Sequence, residues 1–302
     1  MKTSDIHIRD PFILPWEGRY YLYGTRGPTC WGKADGFDVY VSTDLQNWSA
    51  PIEIFHNDGT FWADQNYWAP EVHFYKGSFY LFATFFSEKR CRGTQILRSH
   101  CPTGPFVPIS DGPITPENWE CLDGTFFVSQ DDTPYLVFCH EWLQIHDGTI
   151  CAVPLSQDLT HTTGVPRVLF HASEAAPWVR PLPIPPAQEA GCNYVTDGPF
   201  FYRSSNQKLY LLWSSYGAEG YTQALAVSDN DDITGNWKPL PTLLFPKNGG
   251  HGMIFRGFDG ILRLVLHAPN DTPLERPVFF PIEENADGLT VQSLSLIHIS
   301  EP

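Results

Sequence analysis

The chain has 302 residues, with 19 Lys and Arg against 34 Asp and Glu, a formal net charge of −15. That balance argues against nucleic acid and against an anionic membrane surface as the main partner. The sequence holds no run of eighteen apolar residues to span a bilayer, and its 42% hydrophobic content separates it from disordered chains. Aromatic residues at 15%, with 27 Pro and 24 Gly, indicate many turns and an all-β protein.

The opening residues, Met1 to His7, lack the apolar segment of a signal peptide, so a cytoplasmic protein is expected, or an exported one if the true start lies elsewhere. Seven Cys, at 30, 91, 101, 121, 139, 151 and 192, form no CxxC pair and are odd in number. They are expected to be reduced packing thiols, neither a disulfide framework nor a zinc cluster.

In chain order, one pattern recurs five times: a short strand, a polar or Gly-containing turn, then a strongly apolar strand. The copies run Asp10–Arg26, Ala69–Phe85, Asp123–Glu141, Asp197–Ser215 and His251–Pro269. Their starts lie 59, 54, 74 and 54 residues apart. The long interval contains the Pro-rich stretch 176–186, expected to be a surface insertion. Two weaker strands follow most copies, at 38–49, 94–106, 149–160 and 222–237. About four strands per unit, five times over, predicts a five-bladed β-propeller spanning residues 1–293. A β-sandwich of similar composition would not require a five-fold repeat.

In a propeller the inner strand of each blade lines a central channel. Equivalent repeat positions then ring one axis, and the opening residues Asp10, Ala69, Asp123, Asp197 and His251 are predicted to meet at one mouth. An isolated Asp before a strand is usually a turn residue. Three in register crowd like charges at a cost, and their environments push their pKa values apart, as acid, base and modulator roles require.

At these residues the sequence resembles glycoside hydrolase family 43, five-bladed propeller enzymes acting on arabinose- and xylose-containing glycans. The matching pieces are Arg9-Asp10-Pro11, Trp68-Ala69-Pro70-Glu71, Leu122-Asp123-Gly124-Thr125, Thr196-Asp197-Gly198-Pro199 and Gly249-Gly250-His251-Gly252. The resemblance covers about residues 8–284 and implies an inverting glycosidase, exo-acting on α-L-arabinofuranosyl or β-xylosyl units. It implies Asp10 as general base, Asp123 as pKa modulator and Asp197 as general acid. The family places Glu where this chain has Asp197, so Glu71 and Glu141 are alternative proton donors. Glu141, closing the third repeat, is expected away from the mouth. The resemblance implies no required cofactor, and a calcium or sodium ion in the channel at His251, which as readily reads as a satisfied polar core group.

Trp68, with Trp31 and Trp142, suits stacking on sugar faces, though any one Trp more often packs between blades. Glu71, Glu141, His251 and Arg276 are expected substrate contacts, with a blade-closing salt bridge as the other role for Arg276. The Glu-to-Asp change also fits a carbohydrate-binding propeller without catalysis, and a protein-binding scaffold would leave the three acids unexplained. The expected partner is an oligosaccharide or polysaccharide, with neither nucleic acid nor membrane. The last residues, 294–302, resemble read-through of a sequencing adapter and are expected to be non-native, which leaves the outer strand of the fifth blade in question.

Overall fold

The structure, a computed structural model, describes residues 1–183, 193–285 and 288–292. Among the described residues, strands form five four-stranded antiparallel sheets, each built from consecutive strands. Blade I is β1 (Ile8–Trp16), β2 (Arg19–Arg26), β3 (Gly36–Ser42) and β4 (Ile52–His56). Blade II is β5 (Gln65–Tyr75), β6 (Ser78–Ser87), β7 (Arg90–Ser99) and β8 (Val107–Pro108). Blade III is β9 (Cys121–Val128), β10 (Pro134–His140), β11 (Thr149–Pro154) and β12 (Arg167–His171). Blade IV is β13 (Asp197–Arg203), β14 (Leu209–Gly217), β15 (Gly220–Ser228) and β16 (Trp237–Pro239). Blade V is β17 (Gly250–Arg256), β18 (Leu262–Ala268), β19 (Arg276–Asn285) and β20 (Gly288–Val291). β1 packs against both β5 and β17, so the ring closes as a five-bladed propeller.

Local chemistry explains the inner hairpins. Trp16 pairs with Arg19 and Tyr75 with Ser78 across two-residue turns, Glu17-Gly18 and Lys76-Gly77. All four turn residues have positive φ, from 44° to 84°, the geometry that matches strand twist in a tight hairpin. Between blades the core is aromatic: Phe37, Phe55, Tyr67 and Phe85 interlock at the seam of blades I and II with ring centroids 4.8–6.1 Å apart.

The outer strand of blade V is present, with β20 paired to β19 from Ile282 to Asn285. The tail at 294–302 lies outside the described residues. The Pro-rich stretch is only partly a surface feature: Trp178 is buried, with its ring 5.3 Å from that of Trp213, and residues 184–186 lie outside the described residues.

Every inner strand carries a bulge at the same height. The ladders skip from Arg9 to Phe12, Trp68 to Glu71, Leu122 to Thr125, Asp197 to Phe200 and Gly250 to Met253. The first skipped residue is left-handed each time: Asp10 (φ 52°), Ala69 (47°), Asp123 (56°), Gly198 (53°) and His251 (49°). This corrects the predicted register. The blade IV equivalent of Asp10 is Gly198, and Asp197 stands one residue earlier, level with Arg9, Trp68 and Leu122. A bulge re-aims the side chains beside it, which is how one strand start delivers residues both into the channel and over its mouth.

Candidate active site

Where the bulges converge, a cavity of about 270 Å³ opens at the mouth. Its floor holds Asp10, Asp123, Asp197 and His251, and its walls include Arg9, Trp31, Trp68, Glu141, Trp142 and Tyr221.

Asp10 is buried and fully partnered. Its Oδ2 accepts the Thr25 hydroxyl at 2.5 Å, and its Oδ1 lies 3.2 Å from His251 Nδ1. The Asp10 backbone N–H donates to His267 Nδ1 at 3.1 Å, while His267 Nε2 faces the Asn270 amide oxygen at 2.9 Å. That arrangement assigns the ring proton to Nε2. Burial pushes the His267 pKa down to about 4, so the ring is neutral at pH 7 despite lying 3.4 Å from Asp10 Oδ1. Burial alone would raise the Asp10 pKa; His251, Arg9 and the Thr25 hydrogen bond outweigh it and leave the group below its ordinary value.

Asp123 and Asp197 show the opposite balance. Burial, opposed by His251 and reinforced by the neighbouring Asp197 and Asp10 charges, pushes Asp123 up to about 8. Its Oδ2 accepts the Gly198 N–H at 3.0 Å. Gly198 is obligatory: a Cβ there would meet the His251 ring at 2.7 Å in a left-handed backbone. Burial also raises Asp197, although His251 and the Tyr221 hydroxyl, donating at 2.9 Å, favour its charged form. His251 itself is raised, because Asp10, Asp123 and Asp197 more than offset its desolvation.

Arg9 is held away from solvent by Glu275 at 2.6 Å and the Asn270 amide oxygen at 2.7 Å, with its guanidinium 5.0 Å from the Trp31 ring. On the opposite wall Arg92 donates to Glu141 and lies 4.4 Å over the Trp68 ring. Exposed Trp31 meets Trp68 edge-on at 5.6 Å, so the rim offers aromatic faces of the kind that sugar rings cover.

A model of the glycosyl hydrolases family 43 matches residues 4–289. The chain belongs to glycosyl hydrolase family 43. It is 25% identical over 301 residues to the extracellular exo-α-(1→5)-L-arabinofuranosidase ArbA of Cellvibrio japonicus, an alignment covering 88% of this chain and 80% of that protein. It is 24% identical over 150 residues to the extracellular endo-α-(1→5)-L-arabinanase 1 of Bacillus subtilis, covering 46% and 45% of the two chains. Among solved structures, an endo-arabinase from Bacteroides thetaiotaomicron superposes with a TM-score of 0.85 at 39% identity, over 95% of this chain and 98% of that one. The protein is therefore a family 43 glycosidase acting on arabinose- or xylose-containing carbohydrate, and a propeller without catalysis is set aside.

Within this family 43 fold, Asp10, Asp123, Asp197, His251, Trp68, Glu141, Trp31 and Trp142 all reach the mouth cavity. Glu141 corrects its expectation. β10 runs antiparallel to β9, so its C-terminal end returns to the mouth where β9 began, and Glu141 follows it directly. Two other residues fall elsewhere. Glu71 is absent from the lining of the mouth cavity and lies in the adjoining channel space with Asp10 and His251, where its Oε2 accepts the Thr125 hydroxyl at 2.6 Å and faces His73 Nε2 at 2.9 Å. Arg276 turns to backbone carbonyls, with Nε donating to Ser4 O at 2.9 Å, ties blade V to the N-terminal segment, and makes no salt bridge among the described residues.

Toward a cation, the described residues offer no group of three or more His, Cys, Asp and Glu suited to hold a metal ion. His251 Nδ1 is committed to the Asp10 and Asp123 carboxylates. Sequence reasoning missed Arg9, Arg92, Tyr221 and His267. Arg9 directly precedes Asp10 in the sequence, but its role depends on Glu275, 266 residues away.

Proposed function

We propose that the protein is an inverting, exo-acting hydrolase of α-L-arabinofuranosyl linkages, with Asp10 as general base and Asp197 as general acid. One observation carries the assignment: carboxylates on a common floor are held in opposite states. Asp10 is kept ionised by His251, Arg9 and Thr25, while burial pushes Asp123 and Asp197 up. Groups with separated pKa values are what paired acid–base work at neutral pH requires.

In this reading ionised Asp10 takes a proton from a water that attacks the anomeric carbon. Asp197 gives its proton to the departing glycosidic oxygen. Asp123 keeps that proton on the pair through like-charge repulsion and holds the sugar. Inversion asks for carboxyl groups about 6.5–9.5 Å apart, with the water between them. Glu141 is the alternative acid: burial raises its pKa even though Arg92 donates to its carboxylate and favours the charged form. It suits hydroxyl recognition, with Trp68 and Trp31 as stacking faces.

The arabinofuranosyl specificity is supported by the names of the two curated relatives and of the endo-arabinase structure. Exo action is supported by the cavity, which at about 270 Å³ falls below the usual 300–1,000 Å³ of ligand sites. Endo action is the second reading. The 39%-identical structure is named an endo-arabinase, and a separate cleft of about 450 Å³, lined by Arg90, Asp111 and Glu117, shares Arg92 with the mouth cavity. Both curated relatives are named extracellular, which favours an exported enzyme over the cytoplasmic expectation.

The test is digestion of linear α-1,5-arabinohexaose followed by chromatography at low conversion. Arabinose, or one short oligomer cut from a single end, supports exo action. A spread of intermediate oligomers from the outset assigns endo action, and no cleavage overturns the substrate.

A further inference from the structure

The bulges do more than aim side chains. Four of the five left-handed residues present their backbone N–H to the preceding blade, where a polar side chain on the second strand accepts it. Ala69 N–H donates to Thr25 Oγ1 at 2.8 Å, Asp123 N–H to Thr84 Oγ1 at 2.8 Å, His251 N–H to Ser214 Oγ at 2.8 Å and Asp10 N–H to His267 Nδ1 at 3.1 Å. Thr25, Thr84, Ser214 and His267 hold the same ladder position, opposite Arg9, Trp68, Asp197 and Gly250. Four of five blade junctions are thus stapled alike around the channel.

The fifth acceptor position, opposite Leu122, is Cys139. It is a free, fully buried thiol, with the Thr196 hydroxyl as hydrogen-bond neighbour. A thiol is a poor acceptor. The Gly198 N–H that would complete the ring donates instead to Asp123 Oδ2 at 3.0 Å.

Blade I supplies the control within the same molecule. Thr25, the counterpart of Cys139, accepts the staple from blade II and also donates its hydroxyl to Asp10, the counterpart of Asp123. A hydroxyl at 139 would stand in the same relation to Gly198 and Asp123. We infer that Cys139 is a positioning residue: by leaving one staple unmade it hands the Gly198 N–H to Asp123 and denies that carboxyl the hydroxyl donor that Asp10 enjoys. One residue on the neighbouring strand thus contributes to the difference between the two acids.

The other groups facing Asp123 are His251 from β17, Asp197 from β13, Asp10 from β1 and Tyr221 from β15, with Glu71 from β5 acting on His251. A hydroxyl donor favours the ionised carboxylate, so it lowers the pH at which Asp123 loses its proton, by about one unit for one hydrogen bond.

The kinetic arm of the test rests on the hydrolase reading. Cys139→Ser and Cys139→Thr are compared with Cys139→Ala, which removes the thiol without adding a donor. The pH dependence of kcat/KM on an aryl α-L-arabinofuranoside is measured beside the amide proton shift of Gly198. The Ser and Thr variants are expected to move the basic limb down by about one pH unit and to shift the Gly198 amide, while the Ala variant keeps both at wild-type positions. If Ser, Thr and Ala all keep the wild-type limb and amide shift, the inference falls. Should the wild-type protein fail to hydrolyse the glycoside, the functional reading falls, and the Gly198 amide in the Ser and Ala variants still decides the role of Cys139.

Discussion

Replacing Asp10 by Asn tests the base with the least collateral change. The residue sits at φ 52°, a left-handed conformation that Asn tolerates about as well as Asp, and its backbone N–H keeps its bond to His267. The Thr25 hydroxyl already accepts from Ala69 N–H and must donate to residue 10, so the new amide oxygen takes the Thr25 side. The amide NH₂ then faces His251 Nδ1, which must accept and lose its proton. One substitution thus removes the base and discharges the imidazole that Asp10 chiefly holds protonated. Loss of general-base assistance is worth about 10²–10⁴-fold, or roughly 2.7–5.4 kcal/mol of barrier, and the coupled loss at His251 places the expectation at the upper end. Stability should change by less than about 1 kcal/mol, since Asn keeps the shape and relieves like-charge crowding. The assay is kcat/KM on an aryl α-L-arabinofuranoside beside a thermal melt. A correctly folded variant within tenfold of wild type would remove Asp10 from the mechanism.

Asp197→Ala should damage natural arabino-oligosaccharides about 10²–10⁴-fold and activated aryl glycosides far less, because an activated leaving group departs without a proton; equal damage on both would make Asp197 a binding residue. Wild-type kcat/KM should rise through a limb set by Asp10, whose pKa is lowered, and fall on the alkaline side as Asp123, pushed up to about 8, and the raised Asp197 lose their protons. Tyr221→Phe removes a donor that favours ionised Asp197, so the basic limb should move up by about one unit; a downward shift would refute that role. Glu275→Ala strands Arg9, whose ionic partner is fully buried, and should cost about 3–5 kcal/mol in urea unfolding; a loss under 1 kcal/mol would mean that Arg9 finds other support.

The propeller was legible because each blade repeats the same strand–turn–strand pattern, and Asp10 and Asp123 were legible because they open that pattern. Asp197 was found for a partly mistaken reason. Aligned by its Asp-Gly-Pro string it looked equivalent to Asp10, yet the bulge gives the left-handed place to Gly198. A ladder skip has no sequence mark except a tolerance for Gly, Asp or Asn, and Ala69 and His251 break even that. Arg276 and Glu275 show the limit set by alternation. Adjacent residues at a strand start face opposite ways, and the carboxylate, not the arginine, turns inward to hold Arg9. The acceptor row of Thr25, Thr84, Ser214 and His267 mixes three residue types, so no residue identity marked it; it appears only once the ladders are aligned.

The stereochemistry of the first product tests the central claim most directly. Attack by an Asp10-activated water on the face opposite the leaving group inverts the anomeric carbon, so an α-L-arabinofuranoside must yield β-L-arabinofuranose before mutarotation. Proton NMR during the first minutes of hydrolysis should show the β-anomer signal rising ahead of the α. The α-anomer appearing first would mean retention through a covalent intermediate, and Asp10 would then be neither the general base nor the partner of Asp197 in a single displacement.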